Sequence, residues 1–291
     1  MRLPFSVLAA CALAAGVTAA CSSPADTAPP VASPGVTLSR QDVAIGSPLD
    51  VTYRFAVAAD APAFDENYWV FVHFLDTDGE LMWTDDHEPA PPTTAWTPGA
   101  TIEYTRTMFA PKFPYVGETQ IEIGLFSPAT GDRLPLAGEA AGQRAYRVGS
   151  FAMRAPDDNV FIVFRDGWHA AETDQASGEE WQWTRQDAVL AFRNPRRDVT
   201  FFLDLDQPVA SAPEPQQVAV RIGGVTVDAF PLPPGQRELR RFGLTSAQLG
   251  DGENVEVTIA VDRTFVPLTV PELRSTDPRE LGVRVFRAYV Q

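Results

Sequence analysis

Leu49-Asp50-Val51-Thr52-Tyr53-Arg54-Phe55-Ala56-Val57 places an apolar side chain at every second position, with Asp, Thr, Arg or Ala between. Side chains that alternate with a period of two belong to a β-strand with one face buried and the other wet. The rhythm returns near the other end of the chain, where Val255, Val257, Ile259 and Val261 alternate with Glu256, Thr258 and Ala260. Residues 68–75 form an unbroken aromatic and β-branched run, the pattern of a central strand covered on both faces. Asp78-Gly79 supplies a turn into residues 80–83, and residues 102–105, 121–126 and 146–153 add further short strands. Strands of this length between Pro- and Gly-bearing loops predict a β-sandwich.

Ala155-Pro156-Asp157-Asp158 is a polar break, after which a second series begins. Its strands fall at 160–164, 188–192, 199–205, 218–222, 225–230, 255–261 and 281–290, with Gly223-Gly224 as a two-residue hairpin turn. Thr245-Ser246-Ala247-Gln248-Leu249, closed by Gly250, is the one convincing helical turn. The expected fold is all-β: two β-sandwich domains, immunoglobulin-like or jelly-roll, over 36–154 and 155–291. No internal repeat relates the halves.

The N-terminus reads differently. Arg2 precedes an uncharged run rich in Ala, Leu and Val that ends in Thr18-Ala19-Ala20-Cys21. This resembles the signal of a bacterial lipoprotein, which implies removal of residues 1–20 and fatty acylation (palmitate or similar) of Cys21. Cleavage before Cys11 would leave a signal too short to be translocated. Residues 21–35 then form a lipidated cysteine and a Pro/Ser-rich linker, whose 14 residues after Cys21 reach about 40 Å when extended. Ser22 is not the Asp that retains such proteins in an inner membrane, so the expected place is the outer membrane, on its periplasmic side or at the cell surface.

Composition narrows the function classes. Removing Arg2 with the signal leaves 22 basic against 38 acidic residues, a net charge of −16, which repels nucleic acid. Cys11 and Cys21 are the only cysteines, so the mature chain has no disulfide, thiolate nucleophile or cysteine metal site. After Ala20 no segment has the ~18 successive apolar residues that cross a bilayer. Lys112 is the sole lysine among the basic residues.

Two stretches carry a family likeness. Tyr68-Trp69-Val70-Phe71-Val72-His73-Phe74-Leu75-Asp76-Thr77-Asp78-Gly79, with Thr93-Thr94-Ala95-Trp96-Thr97-Pro98-Gly99 and Gly124-Leu125-Phe126-Ser127-Pro128, resembles the soluble β-domain at the end of bacterial membrane glycosyltransferases. Gly167-Trp168-His169, Trp181-Gln182-Trp183-Thr184 and Asp277-Pro278-Arg279-Glu280-Leu281-Gly282 look like β-modules of polysaccharide-biosynthesis proteins. Together the halves resemble an uncharacterised bacterial lipoprotein family. The likeness implies accessory β-sandwiches in an envelope-glycan setting and carries over no glycosyltransferase activity, since the membrane domain is lacking.

Asp85-Asp86-His87-Glu88 is the densest polar cluster and offers ligands for a divalent cation, with His73 from the adjoining strand; the competing reading is a solvated loop. Asp76-Thr77-Asp78-Gly79-Glu80 lacks the distal Glu of a calcium loop and reads as an Asx turn. His73 shares an apolar face with Trp69, Phe71 and Leu75 and reads as a core histidine. Trp168, Trp181 and Trp183, with His169 and Glu172, are the candidates for sugar recognition, because indole faces cover the C–H side of a pyranose while carboxylates take its hydroxyls. The competing reading is sandwich core. Arg279 either clamps a ligand carboxylate or anchors the last strand by an internal ion pair. G-x-S-x-G, H-E-x-x-H and P-loop motifs are lacking.

The reading that follows is a non-catalytic, lipid-anchored envelope protein that binds a glycan or a partner protein, with no cofactor beyond a possible divalent cation. Its rivals are a periplasmic glycan hydrolase working through Asp or Glu, and a purely structural spacer.

Overall fold

A computed structural model describes residues 28–112, 115–155, 160–175, 177–208 and 214–291. Residues 1–20, read as a signal from the sequence, Cys21 and Pro156-Asp157-Asp158 lie outside the described residues. The chain is all-β and divides into two compact units. One takes the described residues up to Thr37 with Thr52–Thr105 and Thr119–Ser150; the other takes Leu38–Val51, Arg106–Glu118 and Phe151–Gln291.

The first nine strands are β1 (Ala32–Leu38), β2 (Asp42–Ala44), β3 (Pro48–Val57), β4 (Trp69–Leu75), β5 (Leu81–Thr84), β6 (Thr101–Phe109), β7 (Gly117–Phe126), β8 (Glu139–Gly142) and β9 (Ala145–Arg154). They form a three-stranded sheet, β1-β3-β6, and a six-stranded sheet, β2-β9-β7-β4-β5 with β8 on β9. Val51, Tyr53, Phe55 and Val57 are buried, as their alternation requires, and so are Val70, Val72, Phe74, Ile121, Ile123 and Leu125. Trp96 joins this core, 5.0 Å from Phe55 between ring centroids, with its indole N–H donated to Pro91 O. β1 corrects the expected linker, because it starts at Ala32, inside residues 21–35. Pro34 is tolerated there because β1 is an edge strand, where a missing N–H breaks no ladder.

The remaining strands are β10 (Ile162–Phe164), β11 (Glu172–Thr173), β12 (Glu180–Trp183), β13 (Asp187–Arg193), β14 (Val199–Asp206), β15 (Gln216–Ile222), β16 (Val225–Leu232), β17 (Arg237–Leu244), β18 (Asn254–Val261) and β19 (Arg284–Val290). They build two five-stranded sheets, β10-β13-β18-β15-β16 and β11-β12-β19-β14-β17. Their inner faces share one core. Leu190, Phe192, Val218, Val220, Val257 and Ile259 come from the first sheet, and Phe201, Leu203, Leu205, Leu244, Val285 and Val290 from the second. Two apolar faces closed on each other make the sandwich.

Local chemistry sets the connections. Gly223 and Gly224 both have positive φ, the conformation of a tight primed turn, and join β15 to β16. The single α-helix among the described residues, α1 (Ser246–Leu249), has a complete capping box: Thr245 Oγ1 accepts from Gln248 N, and the Gln248 side chain accepts from Thr245 N.

Phe201 is fully buried between the sheets. Phe201→Ala should therefore lower unfolding stability by about 3–5 kcal/mol in a urea titration. A loss near zero would place Phe201 outside the core.

Candidate functional site

The five aromatic and polar residues singled out for sugar recognition divide between two sides of the second sandwich. Gly167 has φ +81°, and a Cβ there would lie 1.9 Å from Asp187 O, so glycine lets the chain cross β13 closely and send Trp168 inward. Trp168 packs against the core, donates its indole N–H to Val189 O at 2.7 Å and meets Phe164 edge-on at 4.6 Å. For Trp168 this is the sandwich-core reading: the polar end of the ring is bound to backbone and its faces pack on the core.

His169 and Glu172 serve the loops. The His169 ring Nε2 lies 2.7 Å from Glu280 O, and its backbone N–H donates to Trp183 O. Glu172 stands 2.7 Å from Arg279 Nη2, which also pairs with Asp277. The Arg279 hydrogen bonds hold the Asp277 carboxyl down at about 2. Of the two readings of Arg279, the structure gives the internal ion pair.

Trp181 and Trp183 sit on the outer face of the C-terminal sheet. In register, Glu172 pairs with Trp181 and Trp183 with Arg284, so these four side chains share that face. Trp183 is 8% exposed and lies edge-on to Phe265. Trp181 is half-buried, 6.1 Å from Phe286, and its indole N–H is buried without a partner among the described residues. Arg284 Cζ stands 5.1 Å from the Trp181 ring centroid and 5.4 Å from that of Phe286. Arg237 Cζ lies 3.8 Å over Phe286.

Two carboxylates from β14 fix these guanidinium groups. Asp204 and Asp206 are 8% and 7% exposed on the face opposite Phe201, Leu203 and Leu205. Arg237 donates Nε and Nη2 to the two oxygens of Asp204 at 2.8 and 2.7 Å, and Nη1 to Glu179 at 2.6 Å. Arg284 donates Nε and Nη2 to the two oxygens of Asp206. Such forked pairs fix both distance and plane. Burial alone would lower the Arg237 pKa, but its bonds to Asp204 and Glu179 carry it above ordinary arginine. Sequence reasoning missed Arg237, Arg284, Asp204 and Asp206, because the partners lie 33 and 78 positions apart.

Of Asp85, Asp86, His87 and Glu88, only Asp85 and His87 approach each other, at 3.7 Å, and Asp86 and Glu88 do not join them. Asp85 accepts from Tyr53 Oη at 3.0 Å, and Asp86 accepts from Val72 N at 3.0 Å. Buried His87 sits between Asp85 O at 2.7 Å and Tyr104 Oη at 2.8 Å, while Glu88 faces solvent. Among the described residues no three His, Cys, Asp or Glu side chains are grouped to hold a metal ion. Also among the described residues, no helix is long and apolar enough to cross a membrane.

No family model matches the chain, and no curated protein sequence matches it. Solved structures with partial likeness include the alkylpurine DNA glycosylase AlkC of Pseudomonas fluorescens, at 13% identity over 43% of this chain and 31% of that one, with a TM-score of 0.28. A family 35 carbohydrate binding module from an environmental isolate matches at 7% identity over 45% of this chain and 92% of that one, with a TM-score of 0.30. The N-terminal CBM22-1-CBM22-2 tandem domain of Paenibacillus barcinonensis Xyn10C matches at 10% identity over 86% and 80%, with a TM-score of 0.30. The chain thus spans about a third of the DNA glycosylase. A likeness this slight says nothing about a ligand.

In the other unit, burial pushes half-buried His73 below its usual pKa, with Arg133 helping and Asp86 and Glu122 opposing. Its folded pKa lies under the unfolded value of 6.5, so its contribution to stability is present above about pH 6.5 and is lost as pH falls through the folded pKa. A proton-NMR titration should give His73 a midpoint below 6.5; a midpoint above 6.5 would contradict this environment.

Proposed function

We propose that this chain is a non-catalytic, lipid-anchored cell-envelope protein, acylated at Cys21, that binds an envelope glycan on the outer face of its C-terminal sheet. The observation that carries this reading is the strip of Trp181 and Phe286 with the Arg237 and Arg284 guanidinium groups against it. Aromatic faces accept the C–H side of a pyranose, while a few fixed polar groups take its hydroxyls. Trp168 has no part in the site, and Trp183 supports it from beneath.

Hydrolysis is disfavoured on this face. A glycosidase needs one carboxyl as proton donor and another as base or nucleophile. Asp204 and Asp206 are each gripped by an arginine fork, which suits them to be counter-ions. The lipid anchor rests on the lipoprotein-like run that ends at Cys21.

Two measurements test the parts separately. Mass spectrometry of the cellular protein should find residues 1–20 removed and a diacylglyceryl group on Cys21; an intact, unmodified N-terminus overturns the anchor. On an array of envelope polysaccharides, the full chain in detergent should retain at least one polymer. Trp181→Ala should weaken that binding at least tenfold without changing the melting temperature by more than a few degrees. Undiminished binding by the variant overturns the assignment of the surface.

A further inference from the structure

One guanidinium on the same face has no carboxylate of its own. Arg287 of β19 stands opposite Asp204 in register, but Asp204 is already held by both prongs of Arg237. The Arg287 Nη1 is buried and makes no hydrogen bond among the described residues. The guanidinium carbon lies 4.5 Å from the Phe109 ring centroid, which covers one side of the group. Burial pulls the Arg287 pKa below that of ordinary arginine, with Asp204 opposing and Arg237 adding to the fall. Asp204 is shared with Arg237, so a further anion would complete the pairing of a guanidinium that is partly withdrawn from water.

Arg287 lines a cleft of about 900 Å³ inside the second unit, a volume in the range that holds small ligands. Lys112, the only lysine of the chain, lines the same cleft. Its walls are aromatic: Phe109, Phe161, Phe164, Phe286 and Tyr289. Phe161 is 78% exposed, so a large ring is presented to whatever enters. The acids that line it are Glu179 and Asp204, both bound to Arg237, and solvent-facing Glu180.

We infer that this cleft takes an acidic sugar unit, with its carboxylate on Arg287 and Lys112 and its ring against the aromatic wall. The inference rests on the glycan reading above and names the class of glycan. A planar guanidinium matches a carboxylate with two parallel hydrogen bonds. The mature chain's net charge of −16 opposes the approach of a dense polyanion, so the fitting polymer carries isolated carboxylates on an otherwise neutral backbone. The aromatic wall selects a sugar ring over an acidic peptide, which offers no flat C–H face.

Calorimetric titration of the full chain in detergent tests this with three probes: cellohexaose, cellohexaose oxidised at one C6 to a uronic acid, and hexaglutamate. The oxidised oligosaccharide should bind at least tenfold more tightly than the neutral one, and more tightly than the peptide. Arg287→Gln should abolish that preference while leaving the weaker neutral affinity in place. Lys112→Gln, at an exposed position that cannot unfold the sheet, should reduce the preference at least threefold, and it decides the matter if Arg287→Gln does not fold. Equal affinity for the two oligosaccharides, a preference that survives both variants, or equal binding of hexaglutamate overturns the inference. Neutral binding without preference leaves the glycan reading standing, whereas no binding of either oligosaccharide removes both.

Discussion

Two forked ion pairs, Arg237 on Asp204 and Arg284 on Asp206, fix the geometry of the face on which the functional reading depends. They are possible only because β14 alternates strictly. Phe201, Leu203 and Leu205 enter the core, while Asp204 and Asp206 point the other way. A slip of one residue would drive two carboxylates into hydrocarbon and bring phenylalanine and leucine out to water. Core packing and surface chemistry are thus set by one register. The pairs do not have to add much net stability to matter, since removing one partner would strand a largely buried charge.

An irregularity in the neighbouring strand gives this face its asymmetry. Pairing between β14 and β19 steps from Asp204 opposite Arg287 to Leu205 opposite Val285, so Phe286 is an extra residue in a bulge. The bulge lets Phe286 and Arg287 follow one another while Val285 and Val290 still reach the core. Two carboxylates then meet three arginines across the sheet, and the third, Arg287, is left without a fork partner. A sandwich built only for stability gains nothing from such an arrangement. A surface built to receive something polar does.

Much of the fold was legible in the residues and much of the site was not. Alternation marked β3, β14 and β18, an aromatic run marked β4, and Gly223-Gly224 marked a hairpin, because each signal is local. β17 escaped notice: Arg237, Arg240 and Arg241 make it look like a polar loop until their partners across the sheet are known. Trp168 and Trp181 are indistinguishable in sequence, since both stand in short segments where alternation is too brief to say which face is inward. Gly167 decides it for Trp168 through a backbone approach that no spacing announces. The acidic run 85–88 looked like ligands, yet alternation on an extended chain puts Asp85 and His87 against Tyr53 and Tyr104 and sends Asp86 to Val72 N instead. A missing partner, as at Arg287, leaves no trace in sequence at all.

The account comes down to whether the outer face of the C-terminal sheet meets a ligand. The Trp181 indole N–H resonance reports this directly, because that donor is buried beside the guanidinium strip and has no acceptor among the described residues. Heteronuclear NMR during titration with a bound glycan should shift this signal strongly and leave the Trp168 indole, bonded to Val189 O, where it was. A stationary Trp181 signal alongside shifts elsewhere in the molecule would contradict the account.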